Sequence, residues 1–189
     1  LPPINREGNT MHTIYFTRHG QTTWNVENKI CGVTDAPLTE KGLAQAAALG
    51  LAIQTGGYAI DEILASPLSR AADTARQIAQ LTGLPMRIEP RLREQCFGRF
   101  EGTPRDGAEF RAARANFTQR FGGGESMMQL AQRIYTLLDE LKTQDKTYLL
   151  VAHNGIARVV HSYFNEMDNA EYAAFGIRNC ELREYRFED

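Results

Sequence analysis

Short runs of β-branched, aromatic and aliphatic residues alternate along this chain with longer segments of helical periodicity. The strand-like runs are residues 13–17, 62–65, 86–89 and 147–152, and a fifth strand is expected near 182–187. Helical segments follow Thr39, Ser66 and Ser126, and a further one covers residues 156–164. Strands that alternate with helices usually pair in parallel through right-handed crossovers. The pattern therefore predicts an α/β fold with a mainly parallel sheet and helices on both of its faces.

The helical spacing also predicts which residues face inward and where helices begin. After Thr39, the inward residues are expected to be Leu43, Ala46, Ala47, Gly50 and Ile53. Ser66-Pro67 is expected to begin the next helix, because proline is tolerated in a first turn, and Gly83 is expected to end it. In the helix after Ser126, the predicted core residues are Leu130, Ile134, Leu137, Leu138 and Leu141.

Charge and cysteine content exclude several classes of protein. The 189 residues carry a formal net charge of -2 without a long basic block, which argues against a nucleic-acid partner. No segment approaches the roughly 20 apolar residues that a membrane span needs, so no membrane partner is expected. The 3 cysteines are odd in number and form no CxxC pair, which favours a reducing, cytoplasmic location and argues against a zinc site.

The chain is expected to form a single domain with one insertion. Residues 1–10 form a polar stretch with proline and glycine, interpreted as a flexible N-terminal tail that precedes a native start at Met11. Residues 11–189 then make up the domain. Residues 102–125 interrupt the alternation of strands and helices, and they are predicted to form a lid or small inserted lobe.

Reactive side chains follow four of the predicted strands. Arg18 and His19 end the first strand, residues 66–70 follow the second, Glu94 lies just after the third, and His153 follows the strand 147–152. Taken singly, each has a structural interpretation, such as a surface charge or a core histidine. Because the carboxyl ends of parallel strands meet at one sheet edge, where such folds bind ligands, we expect these groups to converge on one site.

An ordered set of short motifs runs from about residue 13 to residue 180. It comprises Arg18-His19-Gly20-Gln21-Thr22 with Asn25, Gly32, residues 38–42, residues 66–71 with Thr74-Ala75, residues 92–94 with Gly98 and Glu101-Gly102, and His153. In these motifs the chain resembles the histidine phosphatase superfamily, in its phosphoglycerate-mutase-like branch. The resemblance implies a three-layer α/β/α sandwich and a phosphoryl transfer that needs no metal and no cofactor.

The resemblance and the chemistry of the side chains together predict five catalytic residues. A neutral His19 attacks phosphorus and forms a phosphohistidine, and the resemblance implies attack by the outer ring nitrogen. Arg18 and Arg70 donate to the phosphate oxygens, and a charged His153 stabilises the transition state. Glu94 protonates the leaving group and then activates water. We expect opposite environments to hold the two histidines in different protonation states.

Further residues are expected to bind the substrate. Besides Arg18, Arg70 and His153, the predicted binding residues are Gln21, Thr22, Asn25, Cys31, Gly32 and Asn154. Asn154 stands where glycine is frequent in the family, and its amide can bind the phosphate or the leaving group. Arg93, Arg99, Arg105 and Arg111 hint at additional anionic groups on the substrate, although solvated arginines are the commoner case. The aromatic residues of the same segment (Phe97, Phe100, Phe110 and Phe117) are interpreted as packing.

A phosphatase acting on a small phosphorylated metabolite, as a monomer or homodimer, is the favoured function. The alternative is a phosphoglycerate mutase, which carries a basic pair after the acid where this chain has Gln95-Cys96. An open, less basic site would admit water, so hydrolysis is expected. A non-catalytic phospho-ligand binder is disfavoured because His19, Glu94 and His153 are all present. A metal-dependent hydrolase would need ligand clusters that the sequence does not offer.

Overall fold

The structure, a computed structural model, describes residues 12–188. Its strands are β1 (Thr13–Arg18), β2 (Glu62–Ala65), β3 (Met86–Ile88), β4 (Tyr148–Ala152) and β5 (Leu182–Arg186). Its α-helices are α1 (Thr23–Val26), α2 (Glu40–Thr55), α3 (Ser69–Thr82), α4 (Ala108–Arg114), α5 (Met127–Lys142), α6 (Asn154–Phe164) and α7 (Asn169–Ala174). Short 3₁₀ helices form at Pro90–Leu92 and Gly98–Phe100. The predicted tail and the proposed start at Met11 lie outside the described residues.

The strands form one sheet in the order β3-β2-β4-β1-β5. All neighbouring strands are parallel except β5, which pairs antiparallel with β1 at the edge. The central strand β4 is buried along its whole length, as expected for a parallel strand covered on both faces. The predicted α/β fold with a mainly parallel sheet is confirmed.

Alternate residues of β4 point into two separate hydrophobic cores. Leu150 and Ala152 pack in the core that includes residues of α5 and α6. Leu149 and Val151 pack in the core that includes residues of α2 and α3. Because successive strand residues face opposite sides of a sheet, the two cores lie on its two faces. The molecule is therefore a three-layer α/β/α sandwich.

The inward face of α2 differs from the prediction. Leu43 is 47% exposed, whereas the buried residues are Gly42, Ala46, Leu49, Gly50 and Ile53. The buried face is rich in small residues because α2 packs closely on its neighbours: a Cβ added to Gly42 would overlap the Gln21 carbonyl oxygen. A prediction from hydrophobic spacing places leucine rather than glycine on the buried face of a helix. It therefore missed the close contact of Gly42 with the Gln21 backbone. The predicted core of α5, from Leu130 to Leu141, is buried as expected.

The start of α3 also differs from the prediction. Ser66-Pro67 was expected to open the helix, but α3 begins at Ser69 after an extended Leu68. The Ser66 amide donates to the Val151 carbonyl at 3.0 Å, so the chain stays in sheet geometry one residue beyond β2. Ser66 is thereby held at the sheet edge, and the helix starts later. Gly83 ends α3 in the left-handed conformation, as predicted.

Residues of the predicted lid share a small hydrophobic cluster with residues that precede it. Phe100, Phe110, Ala113 and Phe121 are buried together with Ile30, and Phe97 packs against them. Helix α4 lies in this segment, and Phe117 packs edge-on against Tyr172 of α7. These aromatic residues pack against one another or against α7, as interpreted, and Phe97 and Phe110 also line the pocket described below.

Within residues 12–188, none of the helices combines the length and the apolar character that crossing a membrane requires.

Candidate active site

The register between β1 and β4 brings two histidines together at the carboxyl edge of the sheet. Arg18 pairs with Ala152, so the next residue of each strand emerges at the same level. The His19 amide extends the pairing by donating to the Ala152 carbonyl at 3.0 Å. The imidazole rings of His19 and His153 consequently lie with their centroids 5.2 Å apart. Both side chains are buried.

A backbone hydrogen bond fixes the tautomer of His19. Its Nδ1 lies 2.7 Å from the carbonyl oxygen of Gly20. Because a carbonyl only accepts, Nδ1 carries the ring proton of the neutral form and the lone pair is on Nε2. The Gly20 amide donates to Thr74 Oγ1 of α3 at 3.0 Å, which anchors the loop. His19 thus has a fixed ring with a nucleophilic outer nitrogen.

The two predicted phosphate-binding arginines are held by backbone carbonyls. Arg18 Nη1 donates to the Ile177 carbonyl at 3.0 Å. Arg70 donates from Nη2 to Gly32 at 2.6 Å and from Nη1 to Thr34 at 3.0 Å, and it is 1% exposed. Asp35 lies 3.6 Å from Arg70 but is half exposed. Carbonyl dipoles orient a guanidinium without cancelling its charge, so the site retains positive charge for an anion.

The carboxylate of Glu101 organises the loop that holds Arg70. Its oxygens accept backbone N–H bonds from Gly32 and Thr34, at 3.0 and 3.2 Å, and from Val33 and Phe97, at 3.1 and 3.0 Å. A Cβ added to Gly32 would overlap Glu101 Oε1, so only glycine fits there. Glu101 therefore fixes the carbonyl groups that aim the Arg70 guanidinium.

Both histidines are held in the neutral state in the same way. Burial lowers the pKa of His19 well below its usual value, and repulsion by Arg70 and then Arg18 adds to the shift. Burial also lowers the pKa of His153, again with repulsion from Arg70. The expectation of opposite environments is therefore wrong, and burial disfavours the charged form of His153 that was predicted. The cause is their shared burial beside the same arginines, which the sequence does not show.

His153 makes one hydrogen bond and keeps a second ring nitrogen unused. Its Nε2 lies 2.7 Å from Ser66 Oγ. Its Nδ1 is buried and has no hydrogen-bond partner among residues 12–188. Ser66 stays paired with the sheet because α3 begins only at Ser69. This placement brings its hydroxyl within hydrogen-bond distance of His153.

Glu94 is buried close to the start of α6. Its Oε1 accepts from the Gln95 amide at 2.9 Å, and its Oε2 accepts from the Gly155 amide at 3.0 Å. A Cβ added to Gly155 would overlap Oε1, so the carboxylate packs directly on the backbone of α6. These contacts hold an acid in the same pocket as His19.

A pocket of about 90 Å³ gathers six of the eleven predicted site residues. These are Arg18, His19, Asn25, Cys31, Glu94 and Asn154. The others lie around it: Arg70 and His153 are fully buried, Thr22 caps α1, Gly32 lies in the loop bound by Glu101, and Gln21 borders a shallow depression nearby.

The two asparagines of the pocket have their amide oxygens engaged. Asn25 Oδ1 accepts from the Thr22 amide at 3.1 Å, and Asn154 Oδ1 accepts from the Ile177 amide at 3.0 Å. The remaining end of each side chain is its NH₂ group, which is a donor. Asn154 therefore suits an anion, and it also ties α6 to the loop before β5.

Three arginines make the pocket more basic than the sequence suggested. Arg105, Arg114 and Arg158 line it beside Arg18 and Glu94. The basic pair that a mutase carries after Glu94 is absent, but Arg105 and Arg114 of the predicted lid and Arg158 of α6 supply positive charge that the sequence analysis did not count. Arg105 belongs to the predicted set, whereas Arg114 and Arg158 were missed. Arg158 lies one helical turn after Asn154, and this spacing could have indicated it.

The other arginines predicted near the lid do not line the pocket that contains His19. Arg93, Arg99 and Arg111 are exposed, and Arg99 pairs with Glu109. Among residues 12–188, no three side chains of His, Cys, Asp or Glu come together in a way that could hold a metal ion. The pocket instead offers arginine, amide and imidazole nitrogens, which are groups that bind an anion.

Comparisons with known proteins agree with this geometry. Residues 14–189 match the family model of the histidine phosphatase superfamily, branch 1. A protein of Yersinia pestis named "probable phosphoglycerate mutase GpmB" is 34% identical, over 95% of this chain and 86% of its own length.

Among solved structures, mycobacterial glucosyl-3-phosphoglycerate phosphatase in complex with VO3 is 30% identical, with a TM-score of 0.80 over 92% of this chain and 90% of its own. The α-ribazole phosphatase of Shigella flexneri is 25% identical, with a TM-score of 0.77 over 91% of this chain and 89% of its own.

The buried histidines predict a loss of stability in mild acid. An unfolded histidine has a pKa near ~6.5, whereas the folded pKa values of His19 and His153 are lower. Below pH ~6.5 the unfolded chain binds more protons, so the free energy of unfolding falls as pH falls, by up to about 1.4 kcal/mol per pH unit for each histidine. Urea unfolding at several pH values from neutral to mildly acidic measures this slope, and His19→Asn should reduce it. An unchanged slope in that variant would show that His19 titrates normally.

Proposed function

The chain belongs to branch 1 of the histidine phosphatase superfamily, and we propose that it is a metal-independent phosphomonoesterase that forms a phosphohistidine on His19. Its substrate is a small phosphorylated metabolite. The observation that carries the proposal is the fixed tautomer of His19, with its Nε2 lone pair in a pocket that also contains Arg18 and Glu94. A nucleophile, a cation and an acid are the groups that this chemistry requires.

Phosphate binding relies on fixed nitrogen donors. A phosphomonoester carries about -1.5 to -2 charges near neutral pH. Arg18, Arg70 and the NH₂ groups of Asn25 and Asn154 meet that charge, and carbonyl contacts hold both guanidinium groups in place before the ligand arrives. Donors that are already oriented stabilise the transition state without reorganising. Gln21, Thr22, Cys31 and Gly32 shape the loops around the phosphate.

In the first step, the Nε2 lone pair of His19 forms a bond to phosphorus while the bond to the alcohol oxygen breaks. The protonated carboxyl of Glu94 gives its proton to that oxygen, and the alcohol leaves. His153 shares the charge on the phosphoryl oxygens through Nδ1, which has no partner among residues 12–188.

In the second step, Glu94 takes a proton from water as the water oxygen attacks phosphorus. The bond between phosphorus and Nε2 breaks, and its electron pair returns to His19. Inorganic phosphate is released and Glu94 is protonated again, so both residues regain their initial states. Residues 102–125, which carry Arg105 and Arg114 into the pocket wall, act as a lid over this sequence of steps.

A phosphoglycerate mutase is the second candidate, and the arginines of the pocket favour it. Arg105, Arg114 and Arg158 could hold a second anionic group, as a transfer back to a phosphorylated acid requires. Incubation with 3-phosphoglycerate separates the two functions. A phosphatase releases inorganic phosphate faster than 2-phosphoglycerate appears, and the opposite order of rates would establish the mutase.

Replacement of the nucleophile tests the proposed chemistry. His19→Ala should lower the turnover of p-nitrophenyl phosphate at mildly acidic pH by about 10³-fold or more, because it removes the nitrogen that forms the covalent intermediate. His161→Ala serves as the control, since His161 stacks on Phe175 away from the pocket. A chelator should leave wild-type activity intact. Activity retained in His19→Ala, or activity that needs an added divalent ion, would refute the proposal.

A single added methyl group tests the role of Glu94. In Gly155→Ala the new Cβ overlaps Oε1, so the carboxylate must move. We expect kcat for an alkyl phosphate to fall by about 10²-fold or more, with a smaller loss for p-nitrophenyl phosphate, whose leaving group needs less protonation.

Gly107→Ala is the matched control, because its added Cβ meets no atom closer than 3.4 Å. Equal losses for the two substrates in Gly155→Ala would argue against proton transfer by Glu94.

A further inference from the structure

Asn179 lies in the loop between α7 and β5 and belongs to none of the sequence motifs described above. Its side chain is half-buried, and its amide nitrogen faces two residues of the candidate site. Nδ2 donates to the backbone carbonyl of His19 at 2.8 Å and to Asn25 Oδ1 at 3.3 Å. A single amide group therefore contacts both the proposed nucleophile and a residue that lines its pocket.

These two acceptors determine how the amide groups of Asn179 and Asn25 are oriented. A carbonyl oxygen only accepts hydrogen bonds, so the nitrogen of the Asn179 side chain, rather than its oxygen, must face His19. Asn25 Oδ1 then accepts from Asn179 and also from the Thr22 amide, at 3.1 Å. Both lone pairs of Oδ1 are thereby engaged. The NH₂ group of Asn25 consequently keeps one orientation and remains a donor in the pocket.

The peptide unit between His19 and Gly20 is held at both of its polar atoms. Asn179 binds its carbonyl oxygen, and its N–H, the Gly20 amide, donates to Thr74 Oγ1 at 3.0 Å. Because a peptide unit is planar, contacts on its two opposite edges fix its orientation. The next carbonyl, that of Gly20, lies 2.7 Å from His19 Nδ1 and determines the tautomer. The contact from Asn179 therefore supports the geometry that leaves Nε2 free to react.

The loop that carries Asn179 is itself fixed to β1 and α6 by backbone contacts. The Cys180 amide donates to the Arg18 carbonyl at 2.9 Å. On the other side of Asn179, the Ile177 amide donates to Asn154 Oδ1, and the Ile177 carbonyl accepts from Arg18 Nη1, both at 3.0 Å. Cys180 adopts a left-handed conformation with φ of 56°, which is unfavourable for a residue other than glycine. Such a conformation persists where the surrounding contacts determine the backbone, so the loop holds Asn179 in one place.

We propose that Asn179 is a positioning residue of the phosphatase reaction proposed above, on which this inference rests. It holds the peptide unit after His19 so that the nucleophilic nitrogen is aimed at phosphorus. It also holds the Asn25 amide so that the NH₂ group binds the phosphoryl oxygens. Asn179 itself lines a shallow depression rather than the pocket that contains His19, so it acts without touching the substrate. Groups that are oriented before the ligand arrives stabilise the transition state without reorganising.

Two substitutions of Asn179 test this role in turnover. Asn179→Ala removes both hydrogen bonds, and we expect kcat/KM for p-nitrophenyl phosphate to fall by about 10-fold or more. Asn179→Asp preserves the size of the side chain but turns carboxylate oxygens towards two acceptors, so the loss should reach about 10²-fold near neutral pH. Asn165→Ala is the matched control, because the exposed Asn165 amide also donates to a backbone carbonyl, that of His161, at 3.0 Å. This variant should leave kcat/KM unchanged.

Binding of inorganic phosphate separates a positioning role from a general loss of stability. Calorimetric titration measures this binding without turnover. We expect Asn25→Ala to weaken the binding by about 10-fold and Asn179→Ala by about 5-fold. In the double variant, loss of Asn179 should add less than about 2-fold, because it acts on the anion through Asn25. In the same background, Asn179→Ala should still lower kcat, because its contact with His19 does not pass through Asn25.

The outcomes separate this inference from the proposed function. Losses of phosphate affinity that multiply in the double variant would refute the action through Asn25, and a kcat that Asn179→Ala leaves unchanged would refute the action on His19. An equal loss in Asn165→Ala would also argue against the proposal. Circular dichroism checks that each variant is folded, and the double-variant comparison can be made with either substitution of Asn179. If hydrolysis survives in His19→Ala, the proposed function fails, whereas phosphate binding still tests the contact with Asn25.

Discussion

The parallel pairing of β1 with β4 is the constraint on which the candidate site depends. Arg18 lies opposite Ala152, so the residues that follow, His19 and His153, leave the sheet side by side. A shift of one residue would turn every side chain of a strand to the other face. Burial of β4 on both faces prevents such a shift, because Leu149 and Leu150 belong to different cores. The hydrophobic packing of the sheet thereby sets the distance between the two imidazole rings.

The contacts of Arg70 and Glu101 determine where positive charge lies in the candidate site. Arg70 is aimed by carbonyl groups of the 32–34 loop, and Glu101 holds that loop by its amides. The Glu101 carboxylate therefore binds backbone amides rather than Arg70, and the guanidinium keeps its charge next to the pocket. Burial is the main reason that the pKa values of His19 and His153 are lowered, and repulsion by Arg70 adds to the shift in both.

The sequence predicted the sheet and its reactive edge well, because both depend on local patterns. The runs before His19 and His153 are rich in β-branched, aromatic and aliphatic residues, and they form β1 and β4 with only small changes at their ends. The missed features depend on contacts between distant segments. Gly42 rather than Leu43 faces inward because another backbone approaches it.

The charge of the pocket illustrates the same limit. Arg114 and Arg158 are distant in sequence and come from α4 and α6, so their meeting at one pocket is a tertiary effect. The protonation of His153 depends on burial in the assembled core, which no local pattern shows.

The positive charges of Arg18 and Arg70 have a consequence for the end of the proposed catalytic cycle. A bound anion stabilises a site whose cations repel one another, and inorganic phosphate is such an anion. The free energy that draws an ester towards His19 therefore also delays the departure of the phosphate cut from it. Under the proposed mechanism, we therefore expect release of phosphate, rather than bond cleavage, to limit turnover when the leaving alcohol departs easily. The same fixed arginines, Arg18 and Arg70, would then favour both the binding of the ester and the retention of its product.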